Sequence, residues 1–121
     1  MLFVCHFFIG ASVSLNSNLT NVVIGSLGLA GNLANYGSLY YIRIGNLVFV
    51  HLCFLVQLPG RPANGTICTL PFTCQDIYDH AIIESVTRYA RTFNLVGNKI
   101  INQEVLNADE KILVEFISSV V

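Results

Sequence analysis

The sequence predicts an all-β chain: an antiparallel, jelly-roll-like β-sandwich of about eight short strands. Three observations indicate this class. Runs rich in β-branched and aromatic residues recur along the chain, and clusters of Gly, Pro and Asn separate them. Two Gly-Asn pairs, Gly45-Asn46 and Gly97-Asn98, each lie between two such runs. That arrangement is the signal of a two-residue hairpin turn.

The composition indicates one domain that contacts another chain. A length of 121 residues fits a single domain. Charged residues make up only 11% and hydrophobic residues 54%, whereas typical soluble domains carry about 25% charged residues. So few charges leave apolar surface for another subunit to cover. No run approaches the ~18 apolar residues of a membrane-spanning helix, and a net charge of −1 without a basic patch argues against nucleic acid.

The first predicted element has two interpretations. Residues 1–9 form an apolar run, and residues 10–14 are mostly small. This order is similar to a signal peptide followed by a cleavage site, but it lacks a positively charged leader and His6 interrupts it. A first β-strand is the favoured alternative.

A second strand is predicted at residues 19–24, and a loop follows it. Residues 25–38 hold four of the nine glycines, together with Asn32 and Asn35. Both residue types adopt positive φ at low cost, so we expect this segment to resist regular structure.

The clearest strands surround the Gly45-Asn46 turn. Residues 38–44 precede it, and residues 47–57 alternate after it. One face of the second strand is wholly apolar, which predicts that it packs on the core. The other face is mixed, and we expect Phe49, His51 and Leu55 there to contact another subunit. The predicted core face consists of Val48, Val50, Leu52, Phe54 and Val56.

Turn and strand signals continue to alternate downstream. The Pro- and Gly-rich cluster at residues 59–65 ends the preceding strand, and residues 66–70 form a short strand that Pro71 stops. Residues 76–91 fit either a helical face or two strands; we favour strands, opened by a turn at residues 75–80.

The last third of the chain repeats the hairpin pattern. Strands are predicted at residues 92–96 and 99–105, on either side of Gly97-Asn98. A polar turn at residues 107–110 leads to a final strand at residues 112–121. A helix capped by Asp109 is the alternative for that last segment.

The four cysteines, Cys5, Cys53, Cys68 and Cys74, permit two disulfides. No C-x-x-C pair is present, which argues against zinc. Cys53 and Cys68 lie in apolar runs, where a free cysteine acts as a small hydrophobic residue. Buried thiols are therefore favoured over disulfides, and both alternatives stay open.

No catalytic or cofactor site is expected from the residue pattern. His51 and Cys53 lie two positions apart on a predicted strand, ~6.6 Å along the backbone, which is long for a nucleophile and its base. Asp76 and Asp79 flank Tyr78, and carboxylates beside an aromatic ring can bind a sugar. A solvated turn is the favoured alternative for these three residues.

Two phrases of the sequence resemble a known family. The phrase from Tyr41 to Val50, Tyr-Ile-Arg-Ile-Gly-Asn-Leu-Val-Phe-Val, and the later Leu70-Pro71-Phe72-Thr73 are similar to bacteriophage tail-fibre and receptor-binding-protein tip domains. The resemblance is good over residues 38–73, loose beyond them and weak before them.

The resemblance implies a β-sandwich that trimerises around a fibre axis in the virion and attaches to a glycan or protein on the host surface, without enzymatic activity. Residues 38–121 would be the fibre-tip core. Residues 1–37 would be divergent N-terminal strands and the Gly/Asn-rich loop of the same domain. The chain departs from the family in being more apolar and richer in cysteine, and it lacks a fibre shaft, so a fragment of a longer fibre stays an alternative.

We expect receptor contacts in the two loops at residues 59–65 and 75–80. The candidates are Arg61, Asn64, Asp76, Tyr78 and Asp79. The alternative function is that of a small secreted lectin-like or structural β-domain with disulfides.

Overall fold

The computed structural model describes residues 22–29 and 37–121. All regular structure within these residues is β-strand, which confirms the predicted all-β class. The predictions for residues 1–14, for Cys5 and for residues 30–36 concern parts of the chain outside the described residues. In chain order the strands are β1 (Val22–Leu27), β2 (Gly37–Ile44), β3 (Leu47–Leu55), β4 (Gly65–Thr69), β5 (Ile77–Ile83), β6 (Ala90–Val96), β7 (Lys99–Asn102) and β8 (Lys111–Ser119).

These strands form two antiparallel sheets of four strands each. Sheet one has the order β1-β2-β3-β8, and sheet two has the order β4-β7-β6-β5. Both inner faces contribute to one apolar core, so the predicted sandwich is confirmed. Fully buried core residues come from sheet one (Leu39, Leu52, Phe54, Ile112 and Phe116) and from sheet two (Ile67, Phe93, Leu95 and Ile100).

The strand order is not that of a jelly roll. Sheet two is a Greek key, in which β5, β6 and β7 follow one another and β4 lies beside β7. Sheet one is a meander of β1, β2 and β3 with β8 added beside β3. A jelly roll contains two Greek keys, so the jelly-roll-like prediction was wrong in this respect.

The face assignment of β3 is confirmed. The five predicted core residues, Val48 to Val56 at alternate positions, are all 1% exposed or less. In β2 the inner face carries Leu39, Tyr41 and Arg43. These residues pair with the inner, core-facing residues of β3. Arg43 lies at the rim, where its guanidinium is 5.5 Å from the centre of the Phe72 ring.

Both Gly-Asn hairpins are confirmed. Gly45 joins β2 to β3 with φ +59°, and Gly97 joins β6 to β7 with φ +62°. Asn46 and Asn98, the second central residues, do not have positive φ. Positive φ at the first central residue alone is the signature of the type II′ turn, which favours glycine there.

The predicted loop after residue 24 was partly wrong, because β1 continues to Leu27. Gly25 pairs with Tyr41 in this ladder. A Cβ at Gly25 would lie 2.3 Å from the Tyr41 ring, so the glycine makes room for that ring. This glycine allows close packing within a strand. Composition alone cannot distinguish such a glycine from one in a loop.

The strands favoured for residues 76–91 are confirmed, and no helix occurs in residues 22–29 or 37–121. The turn predicted at residues 75–80 was wrong from Ile77 onward. β5 begins there, and its pairing with β6 is irregular between Ile77 and His80. Asp79, within that irregularity, has φ +57°. β7 ends at Asn102, three residues before the predicted end.

Three loops meet at one end of the sandwich, which we call the loop end: residues 56–64, 84–89 and 103–110. Arg61 forms an isolated bridge with Leu106, and the Val56 amide donates to the Glu110 carbonyl at 2.9 Å. The turn end is opposite and holds both hairpin turns and residues 70–76. There the Cys74 amide donates to the Gly97 carbonyl at 2.8 Å.

Candidate functional site

The five predicted receptor contacts do not form one site. Arg61 and Asn64 lie at the loop end, where the Asn64 amide donates to the Asn102 carbonyl at 2.7 Å. Asp76 lies at the turn end, where its Oδ1 accepts the Gly97 amide at 2.7 Å. Strand β7, from Lys99 to Asn102, separates the two places.

Arg61 has mainly a structural role. Its Nη2 donates to the Thr66 carbonyl, and its Nε has no hydrogen-bond acceptor among the described residues. Burial lowers the pKa of Arg61. Neighbouring Asn64 has φ +61°, a left-handed conformation that asparagine tolerates.

Asp76 and Tyr78 form a pair on the surface. The Tyr78 hydroxyl donates to Asp76 Oδ2 at 3.1 Å, and the Tyr78 side chain is 59% exposed. This hydrogen bond to a carboxylate raises the pKa of Tyr78. The pair therefore presents an exposed aromatic ring with a carboxylate at its edge, and Asp76 also anchors the Gly97 turn.

Asp79 belongs to the β5 irregularity rather than to that pair. Its amide donates to Asn94 Oδ1 at 2.8 Å. Its carboxylate accepts the Gln103 side-chain amide at 2.9 Å. These bonds fix the strand path at a position of positive φ.

The predicted subunit-contact residues lie on the outer face of sheet one. Phe49 and Leu55 are partly buried there, and His51 is only 3% exposed. The His51 Nδ1 lies 3.6 Å from Glu115 Oε1 on β8. Burial lowers the pKa of His51, and Glu115 opposes that shift. Within this chain His51 has little surface left for a partner.

The His51 and Cys53 pair is not set up for nucleophilic catalysis. Both residues are on the outer face, but Cys53 is disulfide-bonded. Cys68 and Cys74 are free and buried, and burial raises the pKa of both thiols. The predicted buried thiols are thus confirmed at Cys68 and Cys74 and wrong at Cys53.

Beyond the predicted Phe49 and Leu55, the apolar residues of this outer face were not identified from the sequence. Cross-strand register places Ile24, Ile42, Phe49 and Ile117 in one row across sheet one. Ile117 is 64% exposed, and Ile24 is 41% exposed. In β8 the exposed residues 113, 115, 117 and 119 alternate with buried residues. Both faces of this strand contain apolar residues, so the alternation in the sequence does not show which face is exposed.

Two carboxylates at the loop end are fully buried. Glu84 Oε1 accepts the Val86 amide at 2.7 Å and the Lys111 amide at 2.8 Å. Its Oε2 accepts the Thr87 hydroxyl at 2.6 Å and the Thr87 amide. Burial alone would raise the pKa of Glu84, but these hydrogen bonds outweigh it and lower the pKa to about 2.

The second buried carboxylate forms a bidentate ion pair across the core. Arg91 Nε donates to Glu110 Oε1 at 2.9 Å, and Arg91 Nη2 donates to Glu110 Oε2 at 2.7 Å. Hydrogen bonding to Glu110 raises the pKa of Arg91. Asn107 Nδ2 adds a third donor to Glu110 at 3.2 Å. Arg91 therefore joins sheet two to the loop that precedes β8.

These buried carboxylates are suited to structure rather than to proton transfer. A catalytic acid or base needs a pKa near the working pH, and Glu84 is far below it. Both oxygens of Glu110 are held by the same guanidinium. Neither role has a local sign in the sequence, because Glu84 lies in the segment 76–91 that fitted a helix or strands, and Glu110 lies in a predicted polar turn.

Residues 22–29 and 37–121 contain no group of three or more His, Cys, Asp or Glu side chains that could hold a metal ion. They also contain no helix long and apolar enough to cross a membrane.

Comparison of the chain with protein-family models, with curated proteins and with solved structures found no match.

Glu84 should make the protein sensitive to acid. Its pKa is about 2 in the folded chain against an ordinary 4.5, so its contribution to stability is present above pH 4.5 and is lost as the pH falls toward 2. The shift corresponds to up to about 3 kcal/mol. We expect Glu84→Gln to lower the free energy of unfolding at pH 7 and to flatten its decline between pH 5 and pH 2.

Urea unfolding followed by circular dichroism at successive pH values measures this effect. Glu115→Gln is the matched control, because Glu115 is 63% exposed and its loss should change stability by about 0.5 kcal/mol or less. An unchanged acid slope in Glu84→Gln would contradict the role assigned to Glu84.

Proposed function

We propose that this chain is a non-enzymatic tail-fibre tip domain of a bacteriophage, which forms a homotrimer and attaches the virion to a glycan or protein on the host cell. The observation that carries the proposal is the difference between the two outer faces of the sandwich. A domain that assembles with copies of itself needs one apolar face for the partner and a more polar surface for solvent.

The outer face of sheet one has the apolar character that a subunit contact requires. Its exposed residues include Leu47 at 44%, Leu113 at 49% and Ile117 at 64%. Phe49 and Leu55, the predicted subunit contacts, lie among them on β3. Two charged residues of β8 also lie on this face: Glu115, which is 63% exposed, and Lys111 opposite Leu55 at the end of the ladder.

The outer face of sheet two is more polar. Register places Thr66 opposite Ile101 and Ala81 opposite Thr92. Asn94 lies beside Ile101, and the other end of the sheet carries a lysine, Lys99. This face also carries Ile83, which is 66% exposed, but most of its other positions are polar or small, so it is the better candidate for contact with solvent.

Receptor binding is proposed for the exposed Asp76 and Tyr78 pair. An exposed ring can pack against the apolar face of a sugar, and a neighbouring carboxylate can accept its hydroxyl groups. Arg61 and Asn64 lie at the other end of the sandwich, so they would have to serve a separate contact.

Sedimentation of the purified protein tests the assembly. We expect three chains per particle at micromolar concentration. Ile117→Asp should shift the protein toward monomers, because it would place a charge in the proposed apolar contact. Ile83→Asp is the matched control: Ile83 is 66% exposed but belongs to sheet two. A wild-type monomer, or equal dissociation of both variants, would contradict the proposal.

A second function is favoured by one observation. Cys53 is disulfide-bonded, and disulfides persist mainly in secreted and other oxidised proteins. This supports the alternative of a small secreted lectin-like or structural β-domain. Both functions use the same sandwich, and they differ in the compartment where the protein folds.

Counting thiols in protein taken from its natural source separates the two functions. The chain has four cysteines, of which Cys68 and Cys74 are free. A secreted domain should show two reactive thiols after unfolding without reductant, and four after reduction. A fibre tip assembled in the reducing cytoplasm should show four at once. In the folded protein Cys68 and Cys74 should react slowly in either case, because both are buried.

A further inference from the structure

A small concavity opens at the loop end, beside the end of β3. Its volume is about 290 Å³, and Leu55, Val56, Gln57, Leu58 and Asp109 line it. Aliphatic walls with a few converging polar groups are the usual composition of a ligand pocket. This volume lies at the lower limit for such pockets, so a ligand here would be the size of one side chain.

Asp109 is held in place by its backbone while its carboxylate stays available. Its φ is +69°, and its amide donates to the Val56 carbonyl at 2.8 Å. The carboxylate forms no hydrogen bond or ion pair with another described residue, and the same is true of the Gln57 carboxamide. Asp109 and Gln57 are therefore the two polar residues among the five that line the pocket, and the other three are aliphatic.

Asp109 differs from the other three carboxylates of the loop end, because its own carboxylate has no donor among the described residues, whereas Glu104, for example, accepts the amide and the hydroxyl of Thr92. The neighbouring Glu110 is paired with Arg91, and Glu84 is saturated by backbone and hydroxyl donors. Lys111 lies opposite Leu55 in the β3–β8 ladder, but it has an interaction of its own and is not among the residues that line the pocket.

We infer that this pocket binds a primary alkylammonium group. The ammonium donates to the Asp109 carboxylate and to the Gln57 amide oxygen, and the methylene groups pack on Leu55 and Leu58. An anion would be repelled by the carboxylate, and a hydrocarbon would bury that carboxylate without a partner. The described lining contains no aromatic ring on which a sugar could stack. A lysine side chain of a partner protein and a free aliphatic amine share this chemistry, and the inference does not depend on the proposed function.

NMR titration of the ¹⁵N-labelled chain tests the inference. The probes are n-butylammonium, its neutral analogue n-butanol, and N-acetyl-lysine methylamide, all at constant ionic strength. We expect n-butylammonium to shift the amides of residues 55–58 and 109 with a Kd on the order of 1 mM. Butanol should bind about tenfold more weakly, because it cannot pair with the carboxylate.

Asp109→Asn keeps the shape and the tolerance of positive φ but removes the charge. It should weaken n-butylammonium binding about tenfold and leave butanol binding unchanged. Asp79→Asn is the matched control, since Asp79 is also exposed and has φ +57°, and it should have no effect. Tighter binding of the lysine derivative than of n-butylammonium identifies a protein lysine as the ligand, and the reverse identifies a free amine. Equal binding of butanol and n-butylammonium, or equal loss in both variants, would overturn the inference.

Discussion

The structure depends on satisfying two carboxylates that are completely buried at the loop end. An ionised carboxylate removed from water costs several kcal/mol unless it is paired or hydrogen-bonded. Glu84 meets that condition through donors from its own turn and from the Lys111 amide at the start of β8. Glu110 meets it through Arg91 on β6. Because β8 belongs to sheet one and β6 to sheet two, each carboxylate links the two sheets at the same end.

This constraint positions two of the three surfaces on which function is proposed. The loop that contains Glu110 also positions Asp109, whose amide bonds to Val56 beyond the end of β3. The same anchoring holds β8 against β3, and this ladder displays Phe49 and Ile117 side by side on the outer face. The alkylammonium pocket and the proposed subunit contact are thus both built on the β3–β8 pair.

Features that depend on neighbouring residues could be predicted from the sequence. The two Gly-Asn turns and the alternation from Val48 to Val56 follow from local backbone preferences and a period of two. Features that depend on distant residues could not. Gly25 makes room for the Tyr41 ring in the neighbouring strand. Glu84 accepts from its own turn, but the bond that links it to the other sheet comes from Lys111, 27 positions later. The polar composition of residues 107–110 predicted a turn and did not indicate that Glu110 is buried, because its partner Arg91 lies far away in the sequence, on β6.

Amide hydrogen exchange measured residue by residue tests the central claim, that the buried carboxylates hold the loop end rigid. The amides of Val86, Thr87 and Lys111 donate to Glu84, so near neutral pH they should be protected about as strongly as the amides of the β3–β8 ladder. Exchange of these three amides at the rate of an unstructured peptide, while the ladder stays protected, would contradict the claim.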